Sequence, residues 1–303
     1  MNARDPHHAD GYRIATNATW VGLAVNAGLG SFKIIAGIVG NSWAVVADGI
    51  HTVSDIVSSL GAMVGLMIAR REPDADHPYG HGKAEVLAAR FVALVLLVIG
   101  VLILLEAGHR LLVFHEMQHP KLIALIAAAV SILVKEALYQ YKAYFARKTK
   151  SAVVHAEAWH HRSDAISSVP VLIGVAGAMT FGERMLWLDP IAAALVGVII
   201  LGIALRMFYT TLGDLMDAAA PAEVTERVRV LAGEVPGVRG VEKVHCRKTG
   251  LNYLVDIHVE VDPKMPVDEG HAIAQQVRNR LVDAGENILQ ALVHVEPYYP
   301  DDH

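Results

Sequence analysis

Two short motifs in this sequence place a histidine four residues before an aspartate, each inside a long apolar run. They are His51-x-x-x-Asp55 and His160-x-x-x-Asp164. Residues four apart share one face of a helix, and ionisable side chains at membrane depth usually face a cavity, an ion path or one another. Two such faces supply two imidazole nitrogens and two carboxylates, a tetrahedral donor set suited to Zn²⁺ and similar ions. The alternative interpretation of each pair is a polar contact that packs two helices together.

Several polar residues lie close to these motifs in the chain. Asp48 shares the helix face of His51, and three roles are open for it: a partner that supports the metal ligands, a carboxylate on the entry path, or a residue near the far membrane surface. His161 and Arg162 lie off the face of the second motif. We interpret both as structural residues.

A second group of candidate ligands follows the first motif. Asp74, His77 and His81 fall within eight residues of one another. Gly80 and Gly82 allow the backbone to fold tightly around an ion there. The alternative is a solvated polar loop.

A third group lies near the C-terminus. Asp256 and His258 are two residues apart on a predicted strand, and His294 and Glu296 repeat this spacing on another. Residues two apart point to the same face of a strand. His271 stands at the start of the helix predicted between them, so these five residues converge only if the two strands pair.

The composition indicates a membrane protein. Of 303 residues, 53% are hydrophobic and 19% are charged, and the mean hydropathy is +0.38. A membrane-spanning helix needs about 20 residues. Six apolar runs reach that length, at Ile14–Val39, Trp43–Ala69, Leu87–Leu112, Leu122–Phe145, Val153–Phe181 and Leu186–Tyr209.

Basic residues indicate the orientation of these spans. The links after the second and fourth spans carry basic residues, and the other links are poorer in them, which places both termini in the cytosol. The polar segment Met1–Asp10 has no signal-peptide pattern. We therefore expect a cytosolic tail at residues 1–13, a transmembrane domain at 14–212 and a cytosolic metal-binding domain at 213–303.

The C-terminal region has the pattern of a small α+β domain. A helix is predicted after Pro221, a hairpin around Thr249-Gly250, a second helix bearing Ile273 and Val277, and a last strand near Leu289–Val295. This order of elements predicts an open α+β sandwich.

Several classes of protein are excluded. A net charge of -5 with no basic stripe argues against nucleic-acid binding. A single cysteine, Cys246, rules out an intramolecular disulfide and a thiolate cage. The sequence has no HExxH motif and no serine or cysteine nucleophile signature, so we do not expect an enzyme.

Taken together, the motifs resemble the cation diffusion facilitator family over nearly the whole chain. The resemblance depends on Ala47-Asp48 followed by the first His-x-x-x-Asp motif, on the loop from Pro73 to Glu85, and on the second His-x-x-x-Asp motif. It implies that the four motif residues form a transport site for divalent metal efflux. His51 is the form similar to zinc-selective members, so Zn²⁺ is the expected cargo, with Cd²⁺, Co²⁺, Fe²⁺ and Mn²⁺ as alternatives.

The resemblance also implies a mechanism and a partner. It predicts metal/proton antiport by alternating access in a homodimer. The alternative is a metal-sensing or assembly-scaffold membrane protein of the same family with little transport. The cytosolic domain is expected to have a metallochaperone-like, ferredoxin-like fold, and the short loops favour a bacterial inner membrane. Lys83 and Asp217 match an ion pair at the dimer hinge. Regulatory Zn²⁺ sites match His258, His271, His294 and Glu296, although one histidine that some relatives use is Glu242 here.

Overall fold

Six helices long and apolar enough to cross a membrane precede a small α+β domain in the computed structural model. It describes residues 6–113, 115, 117–149, 152–250, 252–285 and 287–300. The fold class predicted from the sequence is confirmed, and the chain is an integral membrane protein. The helices of the membrane part are α1 (Pro6–Val39), α2 (Trp43–Ala69), α3 (Lys83–Leu112), α4 (Leu122–Thr149), α5 (Ala152–Ser167), α6 (Val169–Phe181) and α7 (Leu188–Leu215).

Several helices run further than the apolar segments that predict them. Helix α3 begins at Lys83 rather than Leu87, and α7 continues to Leu215 rather than ending at Tyr209. Hydropathy marks where the apolar side chains stop, but the backbone hydrogen bonds of a helix continue in water as well as in lipid.

The predicted fifth span consists of two helices, α5 and α6, which are separated at Ser168. Pro170 lies in the first turn of α6. Proline has no N–H to donate, and its ring clashes with the carbonyl four residues earlier. The interruption comes four residues after Asp164, next to one of the two His-x-x-x-Asp motifs.

Residues 1–60 and 92–206 form one compact unit. Within it, α4 packs against α1 and α5. Helices α1 and α2 approach closely at Gly49, where an added Cβ would lie 2.9 Å from the backbone nitrogen of Ile34. Small residues allow such close packing between membrane helices.

The start of α2 is held by an aspartate from the start of α7. Asp189 is fully buried, and its Oδ2 accepts hydrogen bonds from the backbone N–H groups of Trp43, at 2.8 Å, and Ala44, at 3.3 Å. Its Oδ1 accepts a hydrogen bond from the Ser42 hydroxyl. The first N–H groups of a helix have no partner within the helix and carry a partial positive charge, so a carboxylate there is favourable. Asp189 thereby anchors the helix that carries the first His-x-x-x-Asp motif.

Residues 61–91 and 207–303 form the second compact unit. Its α+β part contains α8 (Ala222–Gly233), β1 (Gly240–Thr249), β2 (Asn252–Val261), α9 (Val267–Asp283) and β3 (Ile288–Pro297). The sheet order is β1-β2-β3, with β1 antiparallel and β3 parallel to β2. Helix α9 makes the crossover that a parallel pair requires.

One face of this sheet forms the hydrophobic core with α8 and α9. The core includes Val255, Ile257 and Val259 from β2, together with Val228 and Val277 from the two helices. The alternate residues of β2, including His258, therefore lie on the opposite face of the sheet.

Replacement of Asp189 tests the anchor on α2. We expect Asp189→Ala to destabilise the protein by about 2 kcal/mol, because three donors, two of them backbone N–H groups, lose their acceptor. The midpoint of thermal unfolding of the detergent-solubilised protein should fall by several degrees. Glu183→Ala, at an exposed acid six residues earlier, is the control and should shift stability by less than about 0.5 kcal/mol. Equal midpoints for the two variants would contradict the anchoring role.

Candidate metal transport site

Three of the four motif residues come together inside the membrane part. Ligand atoms of His51, Asp55 and Asp164 all lie within 4.8 Å of one another. His51 and Asp164 are buried, and Asp55 is half-buried. The two motif helices, α2 and α5, therefore bring one imidazole and two carboxylates to a single place, as a divalent metal site requires.

The fourth motif residue, His160, lies at the edge of this cluster. Its Nδ1 is 3.7 Å from Asp164 Oδ1, and its side chain is 52% exposed. It therefore contacts Asp164 but is not part of the cluster of three.

Sequence reasoning missed two lysines beside these ligands. Lys33 on α1 and Lys135 on α4 are both completely buried. Lys135 Nζ lies 3.2 Å from Asp164 Oδ2. The signal was present in the sequence, because a lysine near the middle of an apolar span is costly and needs a partner.

Lys33 is paired with Asp48. The Lys33 Nζ to Asp48 Oδ2 distance is 2.7 Å, and Lys33 also donates a hydrogen bond to Thr52 Oγ1 at 3.1 Å. Ser168, at the break between α5 and α6, donates to Asp48 Oδ1 at 3.0 Å. Of the roles left open for Asp48, that of an exposed residue is wrong, because the side chain is 1% exposed. It is the buried counter-ion of Lys33.

His161 and Arg162 have structural surroundings, as their positions off the motif face predict. His161 is buried, and its side chain and that of Lys142 both lie beside Gly22. A Cβ atom added at Gly22 would be 3.5 Å from His161 Nε2 and 2.7 Å from Lys142 Nζ. Arg162 donates a hydrogen bond to the Tyr139 hydroxyl at 3.0 Å and lies over the ring of Tyr139.

The loop between α2 and α3 brings its three candidate ligands together. Asp74, His77 and His81 offer ligand atoms within 4.8 Å of one another. Asp74 Oδ1 accepts hydrogen bonds from the backbone N–H groups of Asp76 and His77, and the bond from His77 lowers the pKa of Asp74. This carboxylate is therefore held in its charged, metal-binding form.

The α+β domain brings together three of its five candidate ligands. His258, His294 and Glu296 offer ligand atoms within 4.8 Å of one another. His258 and His294 are paired across β2 and β3, and His258 Nδ1 lies 2.7 Å from Glu296 Oε1. The strand pairing that this convergence needs is present.

The other two candidates lie outside that cluster. Asp256 is half-buried on β2, opposite His245 and Leu292 on the neighbouring strands. His271 is exposed on α9, where its Nε2 lies 2.9 Å from the side-chain nitrogen of Gln275. Spacing along a strand correctly relates residues of one face, but it cannot tell how far a helix residue lies from them.

Two further residues of β1 differ in character. Glu242 hydrogen-bonds to Glu296, and this bond raises the pKa of Glu242, so the cluster has a second carboxyl group beside its two imidazoles. Cys246 lies in the hydrophobic core, where burial raises the pKa of its thiol to about 11. Metals bind cysteine as the thiolate. Because the raised pKa disfavours the thiolate, we interpret this cysteine as a packing residue of the core.

The segment after the loop cluster contacts the α+β domain within the second compact unit. Lys83 Nζ lies 3.0 Å from Asp217 Oδ1, and both side chains are about half exposed. Gly82 lies against the turn of the β1–β2 hairpin: an added Cβ would be 2.5 Å from Thr249 Oγ1. Asp217 adopts a positive φ of 56°, a conformation tolerated by aspartate more readily than by most residues.

Comparison with known proteins gives matches over both parts of the chain. Residues 19–216 match the cation efflux transmembrane domain, and residues 220–298 match the cytoplasmic domain of cation efflux proteins. The manganese efflux system protein MneP of Bacillus subtilis is 32% identical over 95% of this chain and 98% of its own length. Magnetosome protein MamM of Paramagnetospirillum magneticum is 35% identical over 86% of this chain and 81% of its own length.

Metal tolerance protein C1 of Arabidopsis thaliana is 33% identical over 92% of this chain and 62% of its own length. Among solved structures, a cadmium form of the MamM C-terminal domain matches 26% of this chain and 98% of that chain, with 28% identity and a TM-score of 0.25. The family is one of transporters and not a class of enzymes. With matches to both characteristic domains and relatives aligned over almost its whole length, the chain belongs to the cation diffusion facilitator family of cation efflux proteins.

Proposed function

We propose that this protein exports divalent metal ions, with Zn²⁺ as the principal cargo, through a site formed by His51, Asp55, His160 and Asp164. The observation that carries this proposal is the buried cluster of His51, Asp55 and Asp164 on two apolar helices. Two carboxylates at this depth repel one another and lack the solvation of water, so a divalent cation between them is strongly favoured. Imidazole and carboxylate ligands also hold an ion less permanently than thiolates would, as transport requires.

Mn²⁺ is the second candidate cargo. Carboxylate oxygens suit Mn²⁺, whereas imidazole nitrogens suit Zn²⁺, and the cluster has two carboxylates for one imidazole. A relative named as a manganese efflux protein points the same way. The position of His160 during metal binding distinguishes Zn²⁺ from Mn²⁺ as cargo. If His160 joins the cluster, its imidazole gives the site a second nitrogen ligand, which favours Zn²⁺.

Protons are the proposed counter-substrate. A histidine ligand must lose its proton to bind metal, and histidine titrates near physiological pH. Metal and protons therefore compete for His51 and His160. Alternating exposure of the site to the two sides of the membrane then exchanges metal for protons, with both termini in the cytosol and the bacterial inner membrane as the proposed location.

The cytosolic domain is proposed to bind a regulatory Zn²⁺ and to join two copies of the chain. His258, His294 and Glu296 supply a donor set suited to this ion. They lie on the sheet face that α8 and α9 leave uncovered. Leu292 on β3 is 64% exposed, which makes the same face suitable for contact with a second copy.

Asp55→Asn and Asp164→Asn test the transport site. In proteoliposomes with a pH gradient, each should reduce Zn²⁺ transport about 100-fold or more, because each removes a charged ligand while keeping the side-chain volume. Glu183→Ala is the control and should transport like wild type. Transport by the two variants at the wild-type rate would refute the site. A wild-type protein that moves no metal would favour a sensor or scaffold.

His160→Ala tests the choice of cargo. If His160 completes a nitrogen-rich site, its removal should reduce Zn²⁺ transport at least about tenfold more than Mn²⁺ transport. The measurement is initial uptake of each metal, separately, into the same proteoliposomes. An equal loss for both metals would contradict a zinc-selective role for this histidine.

His294→Ala and His271→Ala test the cytosolic site on the full-length protein. Isothermal titration with Zn²⁺ should show the loss of one binding event with His294→Ala, because His294 lies in the cluster of three. His271→Ala should retain that event, since His271 lies outside the cluster. Loss of the event in both variants would show that α9 contributes a ligand when the ion binds.

A further inference from the structure

Lys135 is a buried cation of the membrane part whose partner is a proposed metal ligand. It is completely buried on α4, and its Nζ lies 3.2 Å from Asp164 Oδ2. Among the described residues, no further group hydrogen-bonds to Lys135 Nζ or to Asp164 Oδ2. The ion pair therefore has no additional hydrogen bonds to hold these two atoms together.

Lys33 provides the contrast. Its partner Asp48 is not one of the proposed ligands, and the pair is held further by Thr52 and Ser168. Lys33 thus has a counter-ion that is not needed by the transported metal. In the part of the chain that the structure describes, the carboxylate paired with Lys135 is one that the metal would also use.

The charges around the cluster explain why a cation is needed there. Three buried or half-buried aspartates, Asp48, Asp55 and Asp164, face the two lysines. Without Lys135, Asp164 of an empty site would lose the cation paired with it, and an unpaired carboxylate at membrane depth is costly. With a divalent ion bound, the same ammonium group is repelled by the ion.

We infer that Lys135 is a tethered counter-ion that occupies Asp164 when the transport site is empty and is displaced when a divalent metal binds. The inference depends on the proposed transport site. The lysine lowers the affinity for metal and, by returning to Asp164, assists release. Because the ammonium group is tethered, its effective concentration at Asp164 is high. A monovalent cation carries the same charge and does not displace it, whereas a divalent cation does. The lysine therefore selects for divalent ions.

Lys135→Gln tests this role by metal affinity. The full-length protein in detergent, with His77, His81, His258 and His294 replaced by alanine to remove the other clusters, is titrated with Cd²⁺. We expect Lys135→Gln to bind Cd²⁺ at least about tenfold more tightly and to release it more slowly in transport assays. Lys135→Arg keeps the charge and should stay near the affinity of the unsubstituted lysine.

Lys142→Gln is the matched control. Lys142 is also buried on α4, about 10 Å further along the helix, and its loss should leave Cd²⁺ affinity within about threefold. A second readout is competition: about 0.1 M Na⁺ should weaken Cd²⁺ binding in Lys135→Gln and not in the protein that retains Lys135.

Each outcome has a distinct meaning. Unchanged or weaker Cd²⁺ binding in Lys135→Gln, with Asp164→Asn abolishing binding, would overturn the counter-ion role and leave the transport site intact. Unchanged binding in Asp164→Asn would refute the transport site itself. If Lys135→Gln folds only when Cd²⁺ is present, the metal replaces the missing charge, which supports the inference. If it does not fold even then, tighter Cd²⁺ binding by Lys135→Arg would overturn it.

Discussion

Carboxylates buried inside a membrane need positive charge beside them, and this constraint organises the membrane part of the protein. Asp48 meets it through Lys33, at 2.7 Å. Asp55 and Asp164 meet it less completely, because the ammonium group of Lys135 contacts Asp164 and one buried imidazole lies beside them. This need for positive charge is the basis of the proposed transport site, in which a divalent ion would be held less firmly than by thiolates.

Positioning of these charges depends on helix ends and close packing at a distance from the ligands. Asp189 accepts hydrogen bonds from the first turn of α2, and Gly49 allows α1 to approach that helix. Pro170 interrupts the helix after Asp164 and places Ser168 against Asp48. The ligands therefore lie on helices whose positions are set by neighbouring contacts. This is the support that a binding site with fixed geometry requires.

The α+β domain offers the same types of candidate ligand in a different setting. Its sheet buries one face against α8 and α9 and leaves the other to His258, His294 and Glu296. These ligands come from adjacent strands in register, so their spacing is set by main-chain hydrogen bonds. The carboxyl group of Glu242 adjoins them from β1. Glutamate at this position therefore places a metal-binding type of group beside the cluster.

The sequence by itself determined the six spans, the α+β order and the two His-x-x-x-Asp faces, because hydrophobic runs, strand alternation and helical spacing are local properties. The tertiary structure alone decided which candidates meet. It brought Asp164 to His51 and Asp55, left His160 and His271 at the edges, and revealed Lys135 beside a ligand. Distances between side chains on different helices depend on how those helices pack, and no spacing along a single chain segment specifies that packing.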